Sequence, residues 1–400
     1  MSMLHDSPSN SIAKPTDDDA MALYIHWPFC IAKCPYCDFN SHVRDQIDHH
    51  AWLSALLVDL RHEYKVNQKR QISSVFFGGG TPSLMPPHLV AKLIEEADKL
   101  WGLTDHCEIT LEANPSSVEA SRFADLAQAG VNRVSLGLQA LDDKILEFLG
   151  RAHNVAEGLV ALDTAQENFD RVSFDLIYAR PDQSLKNWQS ELEQALRFGT
   201  DHLSLYQLTI EPSTRFETLV RTGALIPADD DHCADMFALT QAITQAHGLP
   251  AYEISNHARA GQESRHNLTY WRYEDYVGVG PGAHGRRLNC ATERHKKPEN
   301  FLSAIERNGS GIKSEQMLSG AVRATEALMM GLRLTEGVDL NALSRKTGLA
   351  LSQMIDAARV QKMAALGLCV LDADRLTVTS KGLPLLDAIL AELIADPSGN

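Results

Sequence analysis

Between residues 22 and 255 the chain alternates short β-branched or aromatic runs with longer amphipathic stretches, and no other feature restricts its fold as much. The runs are LYIHW (23–27), SVFFGG (74–79), EITLEA (108–113), RVSLGL (133–138), RVSFDLIY (171–178), HLSLYQL (202–208) and PAYEIS (250–255). Between them, stretches such as HHAWLSALLVDLRHEY and PPHLVAKLIEEADKLW repeat apolar residues every three or four positions, the period of a helix with one buried face. Alternating strand and helix predicts a parallel sheet, since parallel neighbours need a crossover that a helix supplies. Six or seven such units predict an α/β fold, a partial (β/α) barrel over 22–255, with its working residues on loops at the C-terminal ends of the strands.

The remainder divides by composition. Residues 1–21 are polar and rich in Ser, Asp and Pro, which predicts a disordered tail. Over 256–319 the segment RHNLTYWRYEDYVGVGPGAHG is rich in Tyr and Gly without a long periodic run, and is expected to be a loop region closing one end of the barrel. From 320 to 400, three helical stretches and a short hairpin predict a small helical, winged-helix-like domain.

Of 400 residues, 44% are apolar and 22% charged, enough interior for a large domain and a smaller companion. The formal charge of -15 argues against a nucleic-acid partner, and points the C-terminal domain toward a packing or lid role rather than DNA binding. No run of about twenty apolar residues and no secretory signal pattern is present, so a cytoplasmic location is expected.

The chemistry concentrates in HWPFCIAKCPYCDF (26–39), which holds Cys30, Cys34 and Cys37. The other four cysteines, Cys107, Cys233, Cys290 and Cys369, stand singly and read as small buried hydrophobes. A reducing compartment disfavours disulfides and leaves metal or redox chemistry as the use of the cluster. Zinc with His26 or His42 as a fourth ligand is one reading, although no second Cys-x-x-Cys knuckle exists. An iron–sulfur cluster is the other, and three thiolates on four irons would leave one iron open to a co-substrate. A triple-glycine loop, GGGTPS, follows the second predicted strand, Glu112 and Gln139 end the third and fourth, Asp175 lies within the fifth, and Arg151 stands in LGRAH. A charge within the apolar run of Asp175 demands a polar partner.

CIAKCPYC matches the Cys-x3-Cys-x2-Cys motif of the radical S-adenosylmethionine (SAM) superfamily, which the chain resembles. The resemblance implies a [4Fe-4S] cluster on Cys30, Cys34 and Cys37, with SAM chelating the fourth iron. It further implies SAM contacts from Tyr24, Tyr36, Gly79, Gly80, Thr81, Glu112, Gln139, Arg151 and Asp175: the glycine loop for the amino group, Glu112 and Gln139 for the ribose, Arg151 for the carboxylate. Trp27 and Phe29 are expected to shield the cluster from water.

Within the superfamily, LYIHWPFCIAKCPYCDF, FFGGGTPS, LEANP, VNRVSLGLQ, YQLTIEP, YEISN, HNLTYW and VGVGPGAHG resemble the group formed by oxygen-independent coproporphyrinogen dehydrogenases and haem chaperones. The dehydrogenase branch carries a fourth cysteine two places after the third; here that place is Phe39. HNLTYW resembles the haem-binding HNxxYW motif of the chaperone branch, which implies haem contacts from His266, Asn267, Tyr270 and Trp271. The function so implied is haem binding and transfer to an acceptor, a membrane-embedded respiratory protein, with transient membrane association compatible with the chain. Propionate decarboxylation by a radical enzyme, and a methyltransferase or haem-degrading activity, are the alternatives.

Overall fold

The computed structural model describes residues 20–68 and 70–394; the expected tail lies almost wholly outside them. In chain order the strands are β1 (Met21–Trp27), β2 (Phe29–Cys30), β3 (His42–Val43), β4 (Ile72–Gly79), β5 (Leu103–Ala113), β6 (Arg133–Gln139), β7 (Arg171–Tyr178), β8 (His202–Gln207), β9 (Asn256–Ala258), β10 (Tyr276–Val279), β11 (His284–Arg287), β12 (Cys290–Arg294) and β13 (Ile312–Met317). Among the described residues, eleven of these form one sheet in the order β13-β12-β11-β10-β1-β4-β5-β6-β7-β8-β9. From β10 through β8 every neighbour is parallel, while β9 and β11–β13 run antiparallel at the two ends. The sheet ends in β9 on one side and β13 on the other, so the barrel is partial.

Six of the seven predicted runs are strands at nearly the expected positions. PAYEIS is the exception, because its polar groups are satisfied within the segment. The Glu253 carboxylate accepts the Ser255 N–H and the Asn256 side chain, and Tyr252 N–H donates to Asn256 O. These local bonds turn the chain so that only Asn256–Ala258 pairs with β8, in reverse direction.

Residues 256–319 do more than close one end of the barrel. They supply the helix Arg265–Trp271, the last parallel strand β10, which lies against β1, and the meander β11–β13.

Helices cover the outer face and fill the core with Leu56, Leu93, Leu126, Leu162 and Trp188. Caps mark their starts where side chains can take free N–H groups: Asp48 for His49–Val66, and Asn154 with Glu157 as a capping box for Val155–Asn168. Helix His49–Val66 buries Asp59 and Glu63 beside Leu56 and Leu60. Those carboxylates are neutralised from the meander: Arg294 pairs with Asp59 at 2.8 Å and Glu63 at 2.5 Å, and Arg287 pairs with Glu63 at 2.5 Å.

The C-terminal unit has its own core, in which Leu328, Leu343, Val360, Leu376 and Leu390 pack together. Helices Gly320–Gly331, Leu340–Thr347, Ala357–Ala365 and Leu386–Leu393 surround a small sheet of β14 (Val338–Asp339), β16 (Arg375–Val378) and β15 (Cys369–Asp372). Helices with a three-stranded sheet ending in the β15–β16 hairpin fit the winged-helix-like expectation, with a further helix, Leu386–Leu393, after the hairpin.

Candidate functional site

At the C-terminal ends of the parallel strands a cavity of about 370 Å³ is lined by Cys30, Cys34 and Cys37 together with Tyr36, Gly79, Gly80, Thr81, Glu112, Gln139, Arg151 and Asp175. Every residue expected at the cluster and SAM positions, except Tyr24, faces this one space.

The glycine loop is shaped by its neighbours. Gly80 N–H donates to Trp27 O at 2.7 Å and Thr81 N–H to Phe29 O at 2.8 Å, which lays the end of β4 on the segment leading to Cys30. Gly79 has φ +113°, and a Cβ there would stand 2.6 Å from the His26 ring; a Cβ on Gly80 would stand 2.6 Å from Phe29 O. Only glycine fits either place. Thr81 then brings its hydroxyl 3.5 Å from Cys30 Sγ.

Arg151 crosses the floor. Its Nη2 donates to Asn114 Oδ1 at 2.5 Å and Gly137 O at 2.9 Å, its Nη1 lies 3.4 Å from Cys34 Sγ, and its buried Nε has no partner among the described residues. Gln139 holds φ +71°, a left-handed conformation that turns its amide back over Gly137. Glu112 accepts the Gly79 N–H at 3.2 Å, and Asp175 accepts the Ser135 hydroxyl at 3.3 Å. No cation contacts either carboxylate at hydrogen-bond distance among the described residues. Burial, reinforced by the charge of Asp175, pushes Glu112 up to about 8. Burial also raises Asp175 to about 6, against its serine hydrogen bonds. Glu112 is therefore protonated near neutral pH while Asp175 is largely ionised, giving one donor on β5 and one acceptor on β7, on either side of β6.

This donor set suits a cluster and SAM. Among the described residues no three His, Cys, Asp or Glu side chains converge on a point that would hold a single ion. The three thiols line one cavity, the ligand type an iron–sulfur cluster takes. Burial raises the Cys30 and Cys37 thiols, so iron rather than solvent would have to draw off their protons. The unpartnered Arg151 Nε, the Glu112 acid with the Asp175 carboxylate, and the glycine loop offer sites for a carboxylate, hydroxyls and an amino group.

Two expectations depart from what the structure holds. Tyr24 does not line the cavity; its hydroxyl bonds His26 Nδ1 at 2.9 Å, and its ring stacks near Phe76 and His266 inside the barrel. His266 is 1% exposed and has neither ring nitrogen free: Nδ1 lies 3.0 Å from Ser74 Oγ and Nε2 2.6 Å from the Tyr270 hydroxyl. Its ring stacks on Phe76 at 4.7 Å, and burial drives its pKa down to about 3. The imidazole is a neutral part of the barrel wall, not an open axial ligand in this conformation. The rest of the motif, Asn267, Tyr270 and Trp271, faces a different cavity from the thiols.

Sequence reasoning passes over Asn40 and Asn114. Asn40 Nδ2 donates to Pro281 O and Lys296 O, and its backbone carbonyl meets His26 Nε2, so it fastens the cysteine loop to the β10–β11 connection and to the segment after β12. Asn114 joins Arg151 to Thr81. Asn114 stands within the quoted LEANP and Asn40 directly follows CIAKCPYCDF, where a polar residue beside the named ones is the available signal. Of the single cysteines, Cys107, Cys290 and Cys369 are buried as expected, whereas Cys233 is partly exposed.

Residues 24–195 match the radical SAM superfamily, and residues 318–385 match the HemN C-terminal domain. The chain is 38% identical to radical S-adenosyl methionine domain-containing protein 1, mitochondrial, of Bos taurus, over 94% of this chain and 87% of that protein. It is 35% identical to heme chaperone HemW of Escherichia coli K12, over 94% and 98%. Among solved structures it superposes on coproporphyrinogen III oxidase (HemN) of Escherichia coli with a TM-score of 0.79 over 94% and 90% of the two chains; at 21% identity this likeness shows the fold. Fold, cavity and these matches agree: the chain belongs to the radical SAM family that includes the heme chaperone HemW.

Proposed function

We propose that this protein is a haem carrier of the cytosol, which binds haem at the HNLTYW segment and passes it to an acceptor protein of the respiratory chain. One observation carries the reading: Phe39, 58% exposed at the cavity rim, stands where a decarboxylating relative would place a fourth cysteine. Relatives named as heme chaperones, at 31–37% identity over most of their length, support the same choice.

In this reading Cys30, Cys34 and Cys37 hold the cluster, which when bound supplies an electron at its open iron. Arg151 and the Gly79–Thr81 backbone would hold the amino-acid end of SAM, and protonated Glu112 and ionised Asp175 would offer its ribose hydroxyls a donor and an acceptor. Trp27 and Phe29, both buried, exclude water behind the cysteine loop. No helix among the described residues is long and apolar enough to cross a membrane, so a membrane-embedded acceptor would be met at its surface.

The test is an anaerobic titration of cluster-reconstituted protein with haem, followed by the Soret band, beside an assay for coproporphyrinogen III decarboxylation. Stoichiometric, intact haem with no decarboxylation is expected. Turnover to protoporphyrinogen IX, or bleaching of the haem, would replace this reading with an enzymatic one.

A further inference from the structure

Asn267, Tyr270 and Trp271 open on a second cavity, of about 990 Å³, that lies between the β8–β9 end of the sheet and the C-terminal unit. Its barrel side adds Phe237; its far side is Arg333 and the segment Leu383–Ala388. Tyr206 and Gln207, at the end of β8, line both this cavity and the one holding the thiols. His266 is not among its lining residues, but Tyr270, which is, holds His266 Nε2.

We propose that this cavity between barrel and C-terminal unit is the haem berth, with the propionate edge directed at Arg333. The proposal rests on the haem-carrier reading above. Size separates the two cavities: 990 Å³ is at the top of the range for ligand pockets, about 300–1,000 Å³, whereas 370 Å³ is near its floor. The larger one offers aromatic surfaces from Phe237, Tyr270 and Trp271, suited to a flat macrocycle.

Charge then sets the orientation. Among the described residues lining the cavity, Arg333 is the one Lys or Arg; of the four carboxylates, Asp230, Asp231 and Glu253 stand on the barrel side and Asp387 on the C-terminal side. Carboxylates are therefore repelled from the barrel side and drawn to the C-terminal one. Arg333 Nη1 donates to Met329 O at 2.6 Å, which holds the guanidinium in place, while its Nη2 meets Asp387 at 3.5 Å, a side chain 90% exposed, in a pair that solvent screens and a ligand carboxylate can displace. The C-terminal unit is thereby given a task, since it supplies both one wall and the propionate partner.

The experiment uses the full chain with its cluster reconstituted and compares haem affinity of the wild type with that of Ala234→Trp and Ala388→Trp. Both alanines are exposed residues of the cavity wall, on different elements, so bulk can be added without disturbing a core. Each substitution is expected to weaken haem binding at least tenfold while cluster absorbance and SAM affinity stay at wild-type values. Arg333→Gln is expected to weaken haem several-fold yet leave the affinity for haem dimethyl ester, which lacks the charged propionates, unchanged. Wild-type haem binding that neither tryptophan reduces would overturn the berth and leave the carrier reading standing. Absence of haem binding by the wild type would overturn the carrier reading itself, and the berth with it.

Discussion

His266 Nε2 and the Tyr270 hydroxyl are 2.6 Å apart, one helical turn from each other, and together close the imidazole off from solvent. Ser74 and the Phe76 ring complete its surroundings. Replacing His266 with Ala removes a packed ring and strands the two hydroxyls, so a loss of about 2–4 kcal/mol is expected in urea unfolding. Tyr270→Phe should cost about 1–2 kcal/mol, because only one hydrogen bond is lost. A His266→Ala protein as stable as the wild type would show that the ring is not built into the wall.

The same burial makes acid sensitivity a property of this histidine. Its pKa is depressed from 6.5 to about 3, so the unfolded chain binds the proton that the folded one refuses. The stability it contributes is complete above pH 6.5 and is lost as pH falls toward 3. Comparing urea midpoints at about pH 7 and about pH 5 for wild type and His266→Gln should show a smaller decrease in the variant.

Glu112 acts in the opposite direction. Its folded pKa, about 8, exceeds the ordinary 4.5, so folding holds a proton that the unfolded chain releases. Stability from this group is present below pH 4.5 and falls as pH rises through 8. Glu112→Gln should flatten the pH profile of ligand-free protein in that window, with the greatest relative gain above pH 8. Equal slopes in both proteins would place the proton elsewhere.

Gly79→Ala and Gly80→Ala should each lower SAM affinity at least tenfold in calorimetry, with little change in the overall circular dichroism. At Gly79 the strain is a positive φ plus the His26 ring; at Gly80 it is the Phe29 backbone, which cannot move without shifting Cys30. Unaltered affinity in both would separate the loop from the ligand.

Breaking the buried ion network should be costly. Arg294 is fully buried between Asp59 and Glu63, and Arg294→Met leaves Asp59 without its cation and Glu63 with Arg287 alone. A loss of about 3–5 kcal/mol is expected from thermal and urea unfolding. A loss below about 1 kcal/mol would mean that water or Arg287 takes its place.

Much of the barrel is legible in the sequence because β1 and β4–β8 are apolar runs long enough to show their period. β10 is not: YVGV has four residues, and its membership in the sheet depends on β1, far earlier in the chain. PAYEIS misleads because Glu253 satisfies backbone and side-chain donors locally, which no run of β-formers reveals. The cysteine spacing and the polar strand ends locate one cavity, since strand ends converge in any such barrel. The direction of a side chain on a short helix is a packing outcome, so HNLTYW alone cannot say that His266 turns inward while Trp271 turns toward the C-terminal unit.

The pairing of β1 with β10, and the bonds from Asn40 to Pro281 and Lys296, also impose an order on biosynthesis. A nascent chain carries its three thiols out of the ribosome early, yet one edge of β1 stays bare until β10 has emerged, and the Asn40 anchor of the cysteine loop is incomplete until Lys296 follows. Cluster insertion into a fully anchored loop is thus confined to chains synthesised past that residue.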